Sequence, residues 1–163
     1  MRGSYVLSML LLFLSAVSAQ TVPPGWNTVK DANGLCQIAV PSEWISLGEK
    51  TGAAVYRDST NAIAVVTSQS EQVFRPLPES LVRSLDIPKE RMFENTPKRI
   101  FYQDRVSKGP ESANVYSSSV PGKNGTCSCH LVLLPNIPEE VAKKIVMTLG
   151  PVAGDGPTPN SSR

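Results

Sequence analysis

Cys127-Ser128-Cys129-His130 is the run of this 163-residue chain whose residue types could do chemistry together. Thiolates bind zinc or copper(I), an imidazole can join them, and neighbouring thiols can cycle through a disulfide. Side chains alternate along an extended backbone, so a strand here sends Cys127 and Cys129 to one face and His130 to the other. The three converge on one ion only through a local bulge. The favoured reading is structural, with no metal and no cofactor. A thiol redox or soft-metal protein using Cys127, Cys129 and His130 is the alternative.

Nucleophilic catalysis has less to build on. His130 is the only histidine, it falls within an expected strand, and no G-x-S-x-G elbow occurs. Ser117, Ser118 and Ser119 read as solvent-facing polar positions of a strand. Glu139 and Glu140 could resemble paired carboxylates, but acidic residues at a helix start are explained by the helix dipole. No phosphate-cradling glycine loop, EF-hand loop or H-E-x-x-H motif is present. The expected catalytic set is empty, and the protein is read as a non-enzyme.

The elements that position these residues follow from periodicity and punctuation. Trp26 to Asp31 and Leu35 to Val40 read as a hairpin around Asp31-Ala32-Asn33-Gly34, with Cys36, Ile38 and Val40 on one face. Pro41 ends the second strand. Trp26 and Trp44 flank the unit as structural residues that seal the sheet. Gly48 to Gly52 reads as a polar connector, and Ala53 to Arg57 with Ala62 to Ser68 as a second hairpin.

Pro76-Leu77-Pro78 introduces a short helix from Glu79 to Leu85, and Pro88 starts another helical turn through Glu94. Arg99 to Val106, Ala113 to Val120 and Cys127 to Leu134 form a meander, the last two joined at Pro121-Gly122-Lys123-Asn124-Gly125. Asn136 is the expected cap of a closing helix that reaches about Leu149, with Val141, Ala142, Ile145, Val146 and Leu149 along one stripe. The fold class is therefore α+β: an antiparallel sheet of about six or seven strands with a C-terminal helix packed on it.

The first residues bear on the compartment. Arg2, the apolar run from Tyr5 to Leu14 and the small residues Val17-Ser18-Ala19 have the form of a secretory signal peptide, residues 1–19. That run is too short to span a bilayer, which takes about 20 apolar residues. Residues 20–150 are expected to be one secreted or periplasmic domain, and 151–163, rich in Gly, Pro, Ser and Asn, a disordered tail. Losing Arg2 hardly alters the balance of 16 Lys and Arg against 14 Asp and Glu. Near-neutrality gives no general pull toward nucleic acid or an anionic membrane.

In an oxidising compartment two of Cys36, Cys127 and Cys129 pair and one is left over. A bridge from Cys36 to either late cysteine closes a loop of about 90 residues and constrains the unfolded chain. Cys127 is the better placed of the two, beside a turn that can adjust to disulfide geometry, but the spacing leaves the pairing open. Asn124-Gly125-Thr126 and Asn160-Ser161-Ser162 match the glycosylation sequon, which has meaning only in a eukaryotic host.

The opening hairpin, G-W-N-T-V-K-D followed by C-Q-I-A-V-P-S-E-W, the meander, and the closing E-E-V-A-K-K-I-V-M-T-L resemble the PsbP-like superfamily. The resemblance covers nearly the whole chain beyond the signal segment and is architectural. It implies an α/β/α sandwich around an antiparallel sheet and a role in binding, and it brings no catalytic residues. The expected function is a secreted accessory or binding domain for a protein or small-molecule ligand. Peptide mapping of the non-reduced protein is expected to join Cys36 to one of the two late cysteines; recovery of Cys36 as a free thiol would overturn this.

Overall fold

The computed structural model describes residues 22–50, 53–59, 62–70, 72–108, 111–133 and 138–153. The expected signal segment, the Asn136 cap and residues 154–163 of the expected tail lie outside them. Two antiparallel sheets organise the described chain.

The smaller sheet grows from the opening hairpin, β1 (Trp26–Lys30) and β2 (Cys36–Pro41), to which the two-residue β10 (Gly150–Pro151) adds alongside β2. Asp31 holds the hairpin turn. Its Oδ1 accepts the backbone N–H groups of Leu35 and Cys36 at 2.7 and 2.8 Å, and its Oδ2 accepts that of Asn33 at 3.3 Å. Gly34 takes φ +66° to complete the reversal, a conformation that costs glycine little.

The larger sheet has seven strands. Their order is β3 (Ile45–Lys50), β4 (Ala53–Arg57), β5 (Ile63–Ser70), β9 (Gly125–Leu133), β8 (Glu111–Gly122), β7 (Ile100–Lys108) and β6 (Met92–Asn95). Between β5 and β6 the chain leaves the sheet through an extended stretch, helix α1 (Glu79–Ser84) and a 3-10 turn at Lys89–Arg91. Helix α2 (Glu139–Met147) follows β9.

One face of the large sheet is the core wall. Ala64 and Val66 of β5, Cys127, Cys129, Leu131 and Leu133 of β9, and Tyr116 and Val120 of β8 are buried there. Opposite them lie Cys36, Ile38 and Val40 of β2 and Ala142, Ile145 and Val146 of α2, all essentially inaccessible. The stripe read from the sequence of α2 is thus the stripe that packs, and α2 touches β8, β9 and β2.

Three devices fix this covering layer. A Cys36–Cys127 disulfide links β2 to β9 across a sequence separation of 91, worth about 4–5 kcal/mol in the chain-entropy description of such a loop. Thr148, just past α2, accepts the Ala39 N–H at 2.7 Å and donates to Ile145 O at 2.6 Å.

Arg99 is the third. It is buried, and its Nη1 donates to Ser118 Oγ at 3.0 Å and Val146 O at 2.8 Å, while Nη2 donates to Met147 O at 3.1 Å. Those carbonyls lie at the C-terminal end of α2, where the Val146 carbonyl also accepts the Leu149 N–H at 3.3 Å, so the guanidinium adds hydrogen bonds there and meets the negative end of the dipole.

The α/β/α sandwich and the six or seven strands expected from the sequence are corrected here. Among the described residues there are ten strands in two sheets and two short helices, with 16% of the structure helical. Only α2 covers a sheet; α1 buries none of its side chains and cannot serve as a second helical layer.

Each discrepancy has a local cause. Gly48 sits at a register shift in β3, an edge strand with Ile45 and Leu47 exposed, so the segment lacks the buried alternation that marks a strand. Met92 to Asn95 form β6 instead of a helical turn, because pairing with β7 outweighs local propensity. Gly150 and Pro151, just past the expected end of the closing helix, add a short strand to β2, and Val152 N–H continues the pairing to Leu35 O at 2.9 Å.

Burial alone would raise the Asp31 pKa, but hydrogen bonds from Ser68, Cys36, Leu35 and Asn33 outweigh it and hold the carboxyl below its usual range. A lowered folded-state pKa stabilises the fold above the unfolded-state value of about 3.9, and that contribution is lost as the pH falls through the folded value. Asp31→Ala is expected to cost about 2 kcal/mol near neutral pH, from unpaired Leu35 and Cys36 N–H groups. In urea unfolding the gap to the parent should narrow as the medium is acidified. A gap that stays constant with pH would contradict the assignment.

Candidate functional site

The strand of the Cys-Ser-Cys-His run divides its residues between two environments. Cys127 is consumed by the disulfide with Cys36, and Cys129 is the free cysteine, fully buried on the same core face. Burial pushes the Cys129 thiol up to about 12, against a smaller pull in the other direction from Arg99. A thiol so placed is neither a nucleophile nor a ready metal ligand. His130 stands on the opposite face, away from both cysteines. Among the described residues no group of three or more His, Cys, Asp or Glu side chains could hold a metal ion.

The tryptophans are also accounted for. Trp44 is buried in the core cluster, and Trp26, half-buried, packs against it from the end of β1, opposite Pro41. Both are positioned by hydrophobic burial.

The groups that converge lie on the other face of the large sheet. In the β8–β9 hairpin the register sets Ser117 opposite His130 and Ser119 opposite Ser128. Ser117 Oγ lies 2.9 Å from His130 Nδ1, and the hydroxyls of Ser119 and Ser128 are also 2.9 Å apart. Two polar cross-strand pairs therefore sit side by side where the core face carries Ser118 and Cys129.

Over this floor passes the stretch that connects β5 to α1. Thr126 Oγ1 donates to Gln72 O at 2.8 Å and anchors one end. Asn95 anchors the other through both amide atoms, its Oδ1 accepting the Leu77 N–H at 2.8 Å and its Nδ2 donating to Leu77 O at 2.9 Å. Between strap and sheet is an open groove of about 380 Å³.

Its floor carries Ser119, Thr126, Ser128 and His130; its walls include Val73, Phe74, Leu77, Leu81 and Ile100, with Arg75 as the wall's cation. His130 is exposed toward this space, yet the walls crowd the ring enough that desolvation holds its pKa below the ordinary imidazole value. The ring is thus neutral at pH 7, with one nitrogen committed to Ser117 and the other able to bond a ligand. No Asp or Glu side chain among the described residues bonds the ring, which separates this pair from a triad. What the arrangement supplies is hydrogen bonding from neutral groups beside an apolar wall.

Ser119, Ser128 and Thr126 entered the sequence reading only as polar strand or motif positions with no binding role, and Arg75 did not enter it. The signal available was the short turn at Lys123-Asn124: counting outward from Gly122 opposite Gly125 pairs Ser119 with Ser128 and Ser117 with His130. Nothing local points to Arg75, which reaches the site only because the strap crosses the sheet.

No family model matches the chain. No curated protein matches it either. The resemblance to the PsbP-like superfamily therefore rests on the segments quoted above. A crystal structure of a protein from Bacteroides thetaiotaomicron VPI-5482, at 1.50 Å resolution, is similar in fold, with a TM-score of 0.52 at 9% identity. The match covers 74% of this chain and 46% of that one, so the chain spans less than half the length of that relative. At this identity the likeness is one of fold.

Cys129 is expected to resist alkylation by iodoacetamide in the native protein and to react once the protein is unfolded in urea. Rapid native labelling would mean that this part of the core opens readily.

Proposed function

We propose that the chain is an extracytoplasmic binding domain that holds a small ligand in the groove between the strap and the outer face of the large sheet. The groove carries this reading. Its volume of about 380 Å³ falls in the range of about 300–1,000 Å³ usual for ligand pockets, and it combines apolar walls with a few convergent polar groups. The fold also supports it. The hydroxyl pairs lie on central strands of a seven-stranded sheet that is braced from behind by the disulfide-linked layer, so their positions are held in advance of binding.

The compartment is part of the proposal. The signal-like segment and the disulfide both favour a secreted or periplasmic site of action. No helix among the described residues is long and apolar enough to cross a membrane.

A fragment library screened by protein-observed NMR tests the reading. Hits are expected to perturb the amides of Ser117 to Ser119, Thr126 to His130 and Val73 to Leu81. Ser128→Trp, which fills the floor from a strand whose core face is unchanged, should weaken such hits tenfold or more. Hits that map elsewhere, or that are indifferent to Ser128→Trp, would reject the groove as the site.

A further inference from the structure

Among the described residues that line the groove, the charge is one-sided: Arg75 and the neutral His130 are the titratable groups, and none is Asp or Glu. Arg75 takes part in neither of the ion pairs Arg83–Glu79 and Lys143–Glu139. An exposed guanidinium is well hydrated by itself, but at the edge of a groove its planar fork is suited to a carboxylate, which it can grip through two parallel N–H donors.

The walls show a second bias. Val73 is 72% exposed and Leu81 40% exposed, and both face the same space as Leu77 and Ile100. Large aliphatic side chains left open around a concave site gain from an apolar ligand that removes them from water. The floor adds neutral donors and acceptors, since each paired hydroxyl retains bonding capacity after meeting its partner.

We infer that the ligand is a small amphipathic monoanion, an aliphatic body lying along Val73, Leu77, Leu81 and Ile100 with a carboxylate held by Arg75. This rests on the reading of the groove as the binding site. A cation of the same shape meets Arg75 unfavourably, and a neutral alcohol forfeits the charge-assisted bonds.

Octanoate, octanol and octylammonium, compared by calorimetry at low ionic strength with NMR mapping, separate the possibilities. Octanoate should bind in the groove about tenfold or more tightly than octanol, the scale of one charged hydrogen-bonded contact, and octylammonium should bind more weakly still. Arg75→Gln, at an exposed position, should bring octanoate to the level of octanol measured on the same variant. If octanoate and octanol bind in the groove equally, or if Arg75→Gln spares the difference, the anion assignment fails while the groove stands. If none of the three binds in the groove, the assignment is overturned, and so is the groove if the fragment screen also misses it.

Discussion

The register of β9 is the constraint on which the rest depends. Cys127, Cys129, Leu131 and Leu133 must all face the core, where they are at most 3% exposed, and period-two geometry then sends Thr126, Ser128 and His130 to the other side. A slip of one residue would bury a histidine and hydroxyls against β2 and expose the leucines. The disulfide to Cys36 excludes that slip covalently, because only Cys127 in its present orientation meets β2. The bond that secures the core therefore also decides which groups form the floor of the groove.

Behind the sheet, the covering layer is assembled from parts too small to stand alone. The β1–β2 hairpin and α2 meet along β2, and α2 is marginal for an isolated helix. Arg99 ties down its C-terminus by donating to the carbonyls of Val146 and Met147, and Ser118 fixes the guanidinium from the sheet. Desolvation lowers the Arg99 pKa, with Glu94 and Cys129 acting in the opposite sense, but a guanidinium stays charged at any ordinary pH. Its burial is offset by hydrogen bonds to backbone oxygens in place of a buried ion pair.

The two faces of the large sheet differ in how much of each could be read in advance. The core face was legible. Cys36, Ile38 and Val40, the alternation from Cys127 to Leu133, and the stripe of α2 each declare burial through a simple period. The edge strands were not, since β3 and β6 are short, partly exposed and bulged, and they exist because a neighbouring strand offers hydrogen bonds. The extra strands and the absence of a helical layer around α1 are what turn the expected sandwich into two packed sheets.

The outer face shows the limit most plainly. Composition and spacing alone placed Cys127 and His130 on opposite faces of a strand and left one of three cysteines over, because both follow from local geometry and counting. They also determined the turn, the closing helix and the side of it that packs. That Ser117 meets His130, that Ser119 meets Ser128, and that Arg75 arrives beside them were decided by tertiary structure. Those contacts depend on hairpin register and on a strap tied at Gln72 and Leu77 to residues far along the chain. Local sequence encodes which face a residue takes, but the free energy that sets its neighbours across a sheet is shared among distant segments.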